Sequence, residues 1–187
     1  MSRFSVSAVS RFSGRHSDGH WDAVRGIFRY LAGSTTRCIT YGGVPGCGDD
    51  VVNLFGFSDA DWGGQLGTRR STTGYVFFVH GGPVSWTSKT QPSVALSSAE
   101  AEYMAAAAAA QEAVWLRALL DQLGFPQKQP TVIFEDNQSC IAMSGNPVFH
   151  KRTKHIELRH HFIRERVLSG EIKLQYCHTS AQVADLC

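Results

Sequence analysis

Residues 71–87 read STTGYVFFVHGGPVSWT, and this stretch decides the fold. Its first ten residues are rich in β-branched and aromatic side chains, which fit a pleated, half-buried strand. Gly81-Gly82-Pro83 turns the chain, and residues 84–87 (VSWT) resume the strand pattern. Just upstream, residues 53–58 form another strand-like run that ends in Asp59-Ala60-Asp61-Trp62. Together the three runs read as antiparallel strands.

Downstream the period changes. Residues 97–123 read as one long helix, capped by Ser97 or Ser98, carried by the alanine run from Ala105 to Ala110, and stopped by Gly124 and Pro126. Trp115, Leu116, Leu119, Leu120 and Leu123 form its apolar stripe. Residues 131–135 (TVIFE) are a short strand buried on both faces that delivers Asp136. A short helix over 138–144 follows, then a basic loop over 150–155. A helix over 157–168 places Leu158, Phe162, Ile163 and Arg166 at helical spacing, with Gly170 as its stop. Residues 172–177 are the last strand, and 181–187 begin a helix that the chain end cuts off. The expected architecture is α/β, a mixed five-stranded sheet flanked by helices.

Residues 1–50 read as a separate unit, a helix plus linker, before a domain over 51–187. The first 15 residues, rich in serine and arginine, show no firm period. From Trp21 onward, Trp21, Val24, Ile27, Phe28 and Leu31 share one helical face, with Ser17 or Asp18 as cap and Gly33 at the end. One amphipathic helix cannot bury its stripe alone, so it must pack on the rest of this chain or on a further part. Residues 41–50 (YGGVPGCGDD) read as a linker. Its Gly48-Asp49-Asp50 superficially matches a polymerase metal motif, but glycines and prolines surround it where apolar hairpin strands would be needed.

Bulk properties bound the function. At 187 residues, 43% hydrophobic and 18% charged, the chain suits one well-buried globular domain with an appendage. A formal charge of +2 does not by itself imply a polyanion partner. Five cysteines (Cys38, Cys47, Cys140, Cys177, Cys187) form no CxxC pair and leave one over, which points to a reducing compartment and away from a disulfide scaffold or structural zinc. No apolar run is long enough to span a membrane, and residues 1–9 lack the apolar core of a signal peptide. An intracellular protein is expected.

Four acidic residues stand where metal chemistry would want them. Asp59 ends the first strand, Glu102 lies early on the long helix, Asp136 ends the fourth strand, and Asp185 starts the final helix. Two metal ions engaged in phosphodiester cleavage need several carboxylates converging from different elements. Magnesium prefers such hard oxygen ligands. Taken singly, each acid reads more readily as a cap or a solvated charge, and spacing alone does not select the set.

Seven blocks do select it: FSDADW (57–62), RSTTGY (70–75), SWTSK (85–89), LSSAEAEYM (96–104), EDNQS (135–139), KHIE (154–157) with HFIRE (161–165), and QVADL (182–186). In this order they resemble the ribonuclease H segment of copia-type LTR-retrotransposon Pol polyproteins, over residues 56–186. HWDAVR (20–25) and FRYLAG (28–33) are similar to the stretch upstream, the tail of the reverse transcriptase. The polymerase palm is not in this chain, so no polymerase activity is expected.

The resemblance implies a ribonuclease H-like fold, a site built from Asp59, Glu102, Asp136 and Asp185, two Mg²⁺ ions with Mn²⁺ as substitute, and hydrolysis of the RNA strand of RNA–DNA hybrids. Asp61 shares a strand face with Asp59 and is the alternative to it. Glu100 and Glu102 lie roughly 200° apart around a helix and cannot serve one site together. Glu102 is followed by Tyr103-Met104-Ala105-Ala106, similar to the family's run, and continues the face of Ala106, Ala109, Ala113 and Leu116. Glu100 then reads as a first-turn charge. His178 stands near a position where such enzymes carry a histidine that helps product leave or shuttles protons. An exposed loop histidine without a role is the favoured reading.

For nucleic acid, the resemblance points to Gln138, and composition points to the loop of Lys151, Arg152 and Lys154, basic with little acid nearby. The helix beyond it reads as a solvated face. Ser98 and Ala99 stand where the family often has asparagines. The expected partners are an RNA–DNA hybrid and the remainder of the reverse transcriptase, with no membrane and no small-molecule cofactor. The setting implied is the cytoplasm and retrotransposon particles. Two alternatives come from other classes. One is an inert polyprotein relic or hybrid-binding module, suggested by the cut-off final helix. The other is a strand-transferring integrase, which needs an Asp-Asp-Glu order, whereas here the glutamate comes second.

Overall fold

The computed structural model describes residues 3–42, 52–65, 67–145 and 154–186. Two helices come first, α1 (Arg3–Ser10) and α2 (Asp18–Ala32). A hairpin array follows, β1 (Leu54–Asp61), β2 (Thr72–Val79) and β3 (Gly82–Thr90). Then come α3 (Ser98–Gln122), β4 (Thr131–Glu135), α4 (Gln138–Gly145), α5 (Lys154–Leu168) and β5 (Ile172–Tyr176), closed by two 3₁₀ turns, Thr179–Ala181 and Val183–Leu186. The sheet order is β3-β2-β1-β4-β5. β1, β2 and β3 are antiparallel, while β4 runs parallel to both β1 and β5. This is the mixed five-stranded α/β sheet expected from sequence.

The β2–β3 turn works through backbone chemistry. His80 (φ 50°) and Gly81 (φ 83°) both take positive φ, as a two-residue hairpin turn of matching twist requires. β1 alternates as the pleat demands: Leu54, Gly56, Ser58 and Ala60 are buried, and the residues between them are half-buried. The buried side packs on α3. Leu54 and Phe77 share a core with Tyr103, Ala106, Ala110, Ile133, Cys140 and Ile163. Ala60, Ala95, Ala101 and Ala105 form a smaller cluster whose methyl-sized side chains let α3 approach the end of β1 closely. On the opposite face Phe55 stacks on Phe78 and Phe57 on Phe134, and the two pairs meet edge to face, with ring centroids 5.0 to 6.4 Å apart.

The structure differs from the sequence expectations at several points. β1 runs to Asp61, two residues past the end expected at Asp59. Residues 181–187 do not begin an α-helix; the described part is two 3₁₀ turns broken at Gln182, whose backbone is extended. The serine-rich start forms α1. Only Leu116 and Leu120 of the α3 stripe are buried, because they continue the face of Ala109 and Ala113; Trp115, Leu119 and Leu123 point outward. Ser97 is the α3 cap and accepts a hydrogen bond from the Glu100 amide. The apolar stripe of α2 is not buried: Val24 and Ile27 are half-buried, and Trp21 is 52% and Phe28 65% exposed. Most of the 41–50 linker, including Gly48-Asp49-Asp50, lies outside the described residues. No helix among the described residues is long and apolar enough to cross a membrane.

Candidate metal centre

Three of the four carboxylates meet. Asp59, Glu102 and Asp136 each offer an oxygen within 4.8 Å of the others. Sheet register explains the first pairing: Phe57 is opposite Phe134 in the parallel β1–β4 ladder, so two residues further on Asp59 comes beside Asp136. On the other side Asp59 faces Gly74 of β2, which has no side chain to crowd it. The alanine cluster brings the first turns of α3 against Ala60, and Glu102 arrives with them. Asp185, in the second 3₁₀ turn and exposed, lies near enough for its charge to act on Asp59.

The electrostatics are those of a concentrated negative site. Burial, then the charges of Asp185 and Asp136, pushes Asp59 up to about 7. Burial, then Glu135, Asp59 and Asp136, pushes Glu102 up to about 10. Glu102 Oε2 is buried with no hydrogen-bond partner among the described residues. A buried carboxylate oxygen without a donor, beside two more carboxylates, is costly unless a cation takes up the charge. An all-oxygen donor set of this kind fits a hard divalent ion such as Mg²⁺ or Mn²⁺. Cys177 is not among the residues that converge on this point; burial and then the surrounding carboxylates raise its thiol pKa.

Sequence reasoning missed a fifth carboxylate. Glu135 is fully buried under the cluster and is raised to about 8 by burial, against hydrogen bonds from Ser58 and Asn137 that lower it. Ser58 Oγ donates to its Oε2 at 2.8 Å and the Asn137 amide donates to its Oε1 at 3.3 Å. The available clue was alternation: with Asp59 and Asp136 facing one way, Ser58 and Glu135 are polar residues at inward positions of neighbouring strands.

Asp61 is exposed at the end of β1, outside the group. Glu100 is in the first turn of α3 as expected, but it is buried and its Oε2 accepts from the Leu96 amide at 3.0 Å, so it caps its own helix. His178 caps the first 3₁₀ turn, its Nδ1 accepting from the Ser180 amide at 3.2 Å. Its neighbour Thr179 reaches the site and donates to Asp136 Oδ2 at 2.8 Å. Gln138 is exposed at the start of α4. Lys154 opens α5, while Lys151 and Arg152 lie outside the described residues.

No family model matches the chain. Among curated proteins it is 44% identical over 181 residues to the retrovirus-related Pol polyprotein from transposon TNT 1-94 of Nicotiana tabacum, and 38% identical over 182 residues to that from transposon RE2 of Arabidopsis thaliana. Each match covers 97% of this chain but only 13% and 12% of the relative, so the chain spans about an eighth of their length. It is also 46% identical over 111 residues to secreted RxLR effector protein 161 of Plasmopara viticola, covering 59% of this chain and 75% of that one. Among solved structures it resembles LC11-RNase H1, isolated from compost, with a TM-score of 0.51 at 16% identity over 72% of this chain and 91% of that one. The same enzyme in complex with an RNA/DNA hybrid also gives a TM-score of 0.51, at 13% identity over 71% and 91%. At such identities these two likenesses bear on the fold, which is that of ribonuclease H.

Proposed function

Since the chain belongs with the retrovirus-related Pol polyproteins of plant transposons and has the ribonuclease H fold, we propose that it is their ribonuclease H domain, a metal-dependent endonuclease that hydrolyses the RNA strand of RNA–DNA hybrids during reverse transcription. The observation that carries this reading is the convergence of Asp59, Glu102 and Asp136 from a strand, a helix and a second strand end onto one point. The hybrid bound to the structural neighbour supports the choice of substrate. Residues 1–50 are read as the tail of the reverse transcriptase, and the solvent-facing stripe of α2 as its contact with the rest of the polyprotein.

In this reading Asp59 and Asp136 form the centre of the site and would hold the divalent ions, and Glu102 and Asp185 would complete the two ligand sets. Bound Mg²⁺, or Mn²⁺ in its place, supplies Lewis-acid polarisation of the phosphate and a water of lowered pKa. Glu102 belongs to the buried side of the site and Asp185 to its exposed side. Thr179 orients the Asp136 carboxylate by donating to one of its oxygens. Water adds to the phosphorus and the bond to O3′ breaks, leaving a 3′-hydroxyl on one fragment and a 5′-phosphate on the other. Lys151, Arg152 and Lys154 grip phosphates, and Gln138 touches the hybrid beside Asp136. Recognition of RNA then rests on the ribose 2′-hydroxyl.

The test is a gel assay of the purified chain on a labelled RNA–DNA hybrid, with Mg²⁺, Mn²⁺ or chelator. Metal-dependent cutting of the RNA strand alone is expected, and Asp136→Asn should abolish it while leaving the fold intact. Cutting by Asp136→Asn would remove the site assignment. One observation favours a second reading, a hybrid-binding module without turnover: Asp185 is exposed and outside the tight three-carboxylate group. Hybrid binding by a folded chain that never cuts, with either metal, would select it.

A further inference from the structure

The β1–β4 ladder has its last registered pair at Phe57 and Phe134, two residues short of Asp59 and Asp136. Beyond that point the strand ends would be free to splay, and with them the two carboxylates. A buried chain of side-chain hydrogen bonds takes over there. Ser58 Oγ donates to Glu135 Oε2 at 2.8 Å, tying the residue before Asp59 to the residue before Asp136. The Asn137 amide donates to the other Glu135 oxygen at 3.3 Å, gripping Asp136 from its far side. Gln182 Nε2 donates to the Ser58 carbonyl at 2.8 Å, and Gln182 Oε1 accepts from the Ala184 amide at 3.2 Å. Ser58 and Glu135 are 0% exposed and Gln182 5%.

Three polar side chains from three distant segments thus lock the main chain next to Asp59, Asp136 and Asp185. We infer that Gln182, Ser58 and Glu135 are positioning residues, a bracket that sets the spacing of the carboxylate cluster and so its affinity for divalent cations. The inference rests on the metal-dependent reading proposed above. Both arms of the Gln182 amide are used in opposite senses, N–H toward β1 and oxygen toward the segment bearing Asp185, which an apolar side chain of the same size cannot do. Buried polar groups are hydrogen-bonded in most folds, so a purely stabilising network is the competing account. The two differ in what they predict for the metal. Groups that orient ligands without touching the ion typically change its affinity by about 10- to 100-fold when lost.

The experiment uses the full chain and Gln182→Met, a substitution of similar volume without the amide. Mn²⁺ binding is measured by calorimetry without nucleic acid, alongside melting temperature and hybrid cleavage at graded Mn²⁺. Mn²⁺ binding should weaken by about 10-fold or more, with a matching rise in the Mn²⁺ needed for half-maximal cleavage. The KM for hybrid at saturating Mn²⁺ should stay within about twofold of wild type. Ser58→Ala removes the hydroxyl but keeps the carbonyl that Gln182 uses, and it decides the matter if Gln182→Met does not fold. Mn²⁺ affinity within about twofold of wild type in the folded variants overturns the bracket, whatever the melting temperature does. A wild-type chain that neither binds Mn²⁺ nor cuts hybrid overturns the metal-dependent reading, and the bracket with it.

Discussion

Asp59 of β1 and Glu102 of α3 bring carboxylate oxygens within 4.8 Å of each other, and one oxygen of Glu102 has no hydrogen-bond partner among the described residues. Without a cation this arrangement costs stability, because Glu102 must hold a proton in the fold that it sheds when unfolded. Glu102→Gln removes that requirement at equal size. The metal-free variant at pH 7 should therefore melt about 2–4 °C higher, a gain of about 1 kcal/mol. Cleavage should fall by about 10³-fold, since the lost ligand is worth several kcal/mol in the transition state. Calorimetric melting in chelator and single-turnover cleavage check the pair. A lower melting temperature would mean that Glu102 serves the fold and not the site.

The same cluster sets a pH dependence. A carboxyl whose pKa is higher in the folded state stabilises the fold fully below its unfolded value and loses that contribution as pH rises through the folded one. Asp59 moves from 3.8 to about 7, Glu135 from 4.5 to about 8 and Glu102 from 4.5 to about 10. All three groups hold extra protons between 4.5 and about 7, two between about 7 and 8, and Glu102 alone above that. The melting temperature of the metal-free chain should fall most steeply from pH 4.5 to 7 and more gently beyond. Added Mg²⁺ should flatten the curve above pH 7 by binding the ionised forms. A melting temperature in chelator that is level or rising from pH 5 to 7 would contradict the coupling.

How far the sequence could be read depended on whether a local pattern decides the outcome. The β2–β3 hairpin was legible because β-branched and aromatic residues flank a glycine turn. Asp59, Glu102 and Asp136 were legible through the motifs around them; their convergence needed the Phe57–Phe134 register, which no single segment encodes. Glu135 was missed because an adjacent Glu-Asp pair shows only that the two face opposite ways, not which is inside. The helix expected over 181–187 failed for a tertiary reason: Gln182 leaves helical geometry (ψ 104°) while its side chain bonds to Ser58, overriding the helical preference of its neighbours. The apolar stripe of α2 was read correctly as a stripe. Whether it is buried depends on what lies against it, and none of its residues is buried here.

Packing between β1 and β2 gives a test of the core itself. Gly56 pairs with Phe77, and a Cβ on Gly56 would stand 2.5 Å from one Phe77 ring carbon and 2.6 Å from another. Phe77 is fully buried. Gly56→Ala should cost about 1–3 kcal/mol of stability in urea unfolding, the usual penalty for overpacking. Adding Phe77→Leu should recover part of the loss, because the two sites share one volume. A loss below about 0.5 kcal/mol would place the ring elsewhere.

Phosphate recognition by Lys151, Arg152 and Lys154 has a signature distinct from that of the carboxylates. A cation that neutralises a phosphate releases counterions, so each contact adds about 0.9 to the slope of log affinity against log salt on a duplex. Replacing all three by alanine in an Asp136→Asn background, where hybrid is bound but not cut, should weaken binding and lower that slope by about 2 to 3. With Asp136 intact, the triple variant should raise KM at physiological salt and leave kcat at saturating hybrid near wild type, because the lost contacts are made equally in the ground and transition states. Filter binding at four salt concentrations reads the slope directly. An unchanged slope would show that these cations do not touch phosphate, and would move the search for the hybrid-binding face to the surface around Gln138.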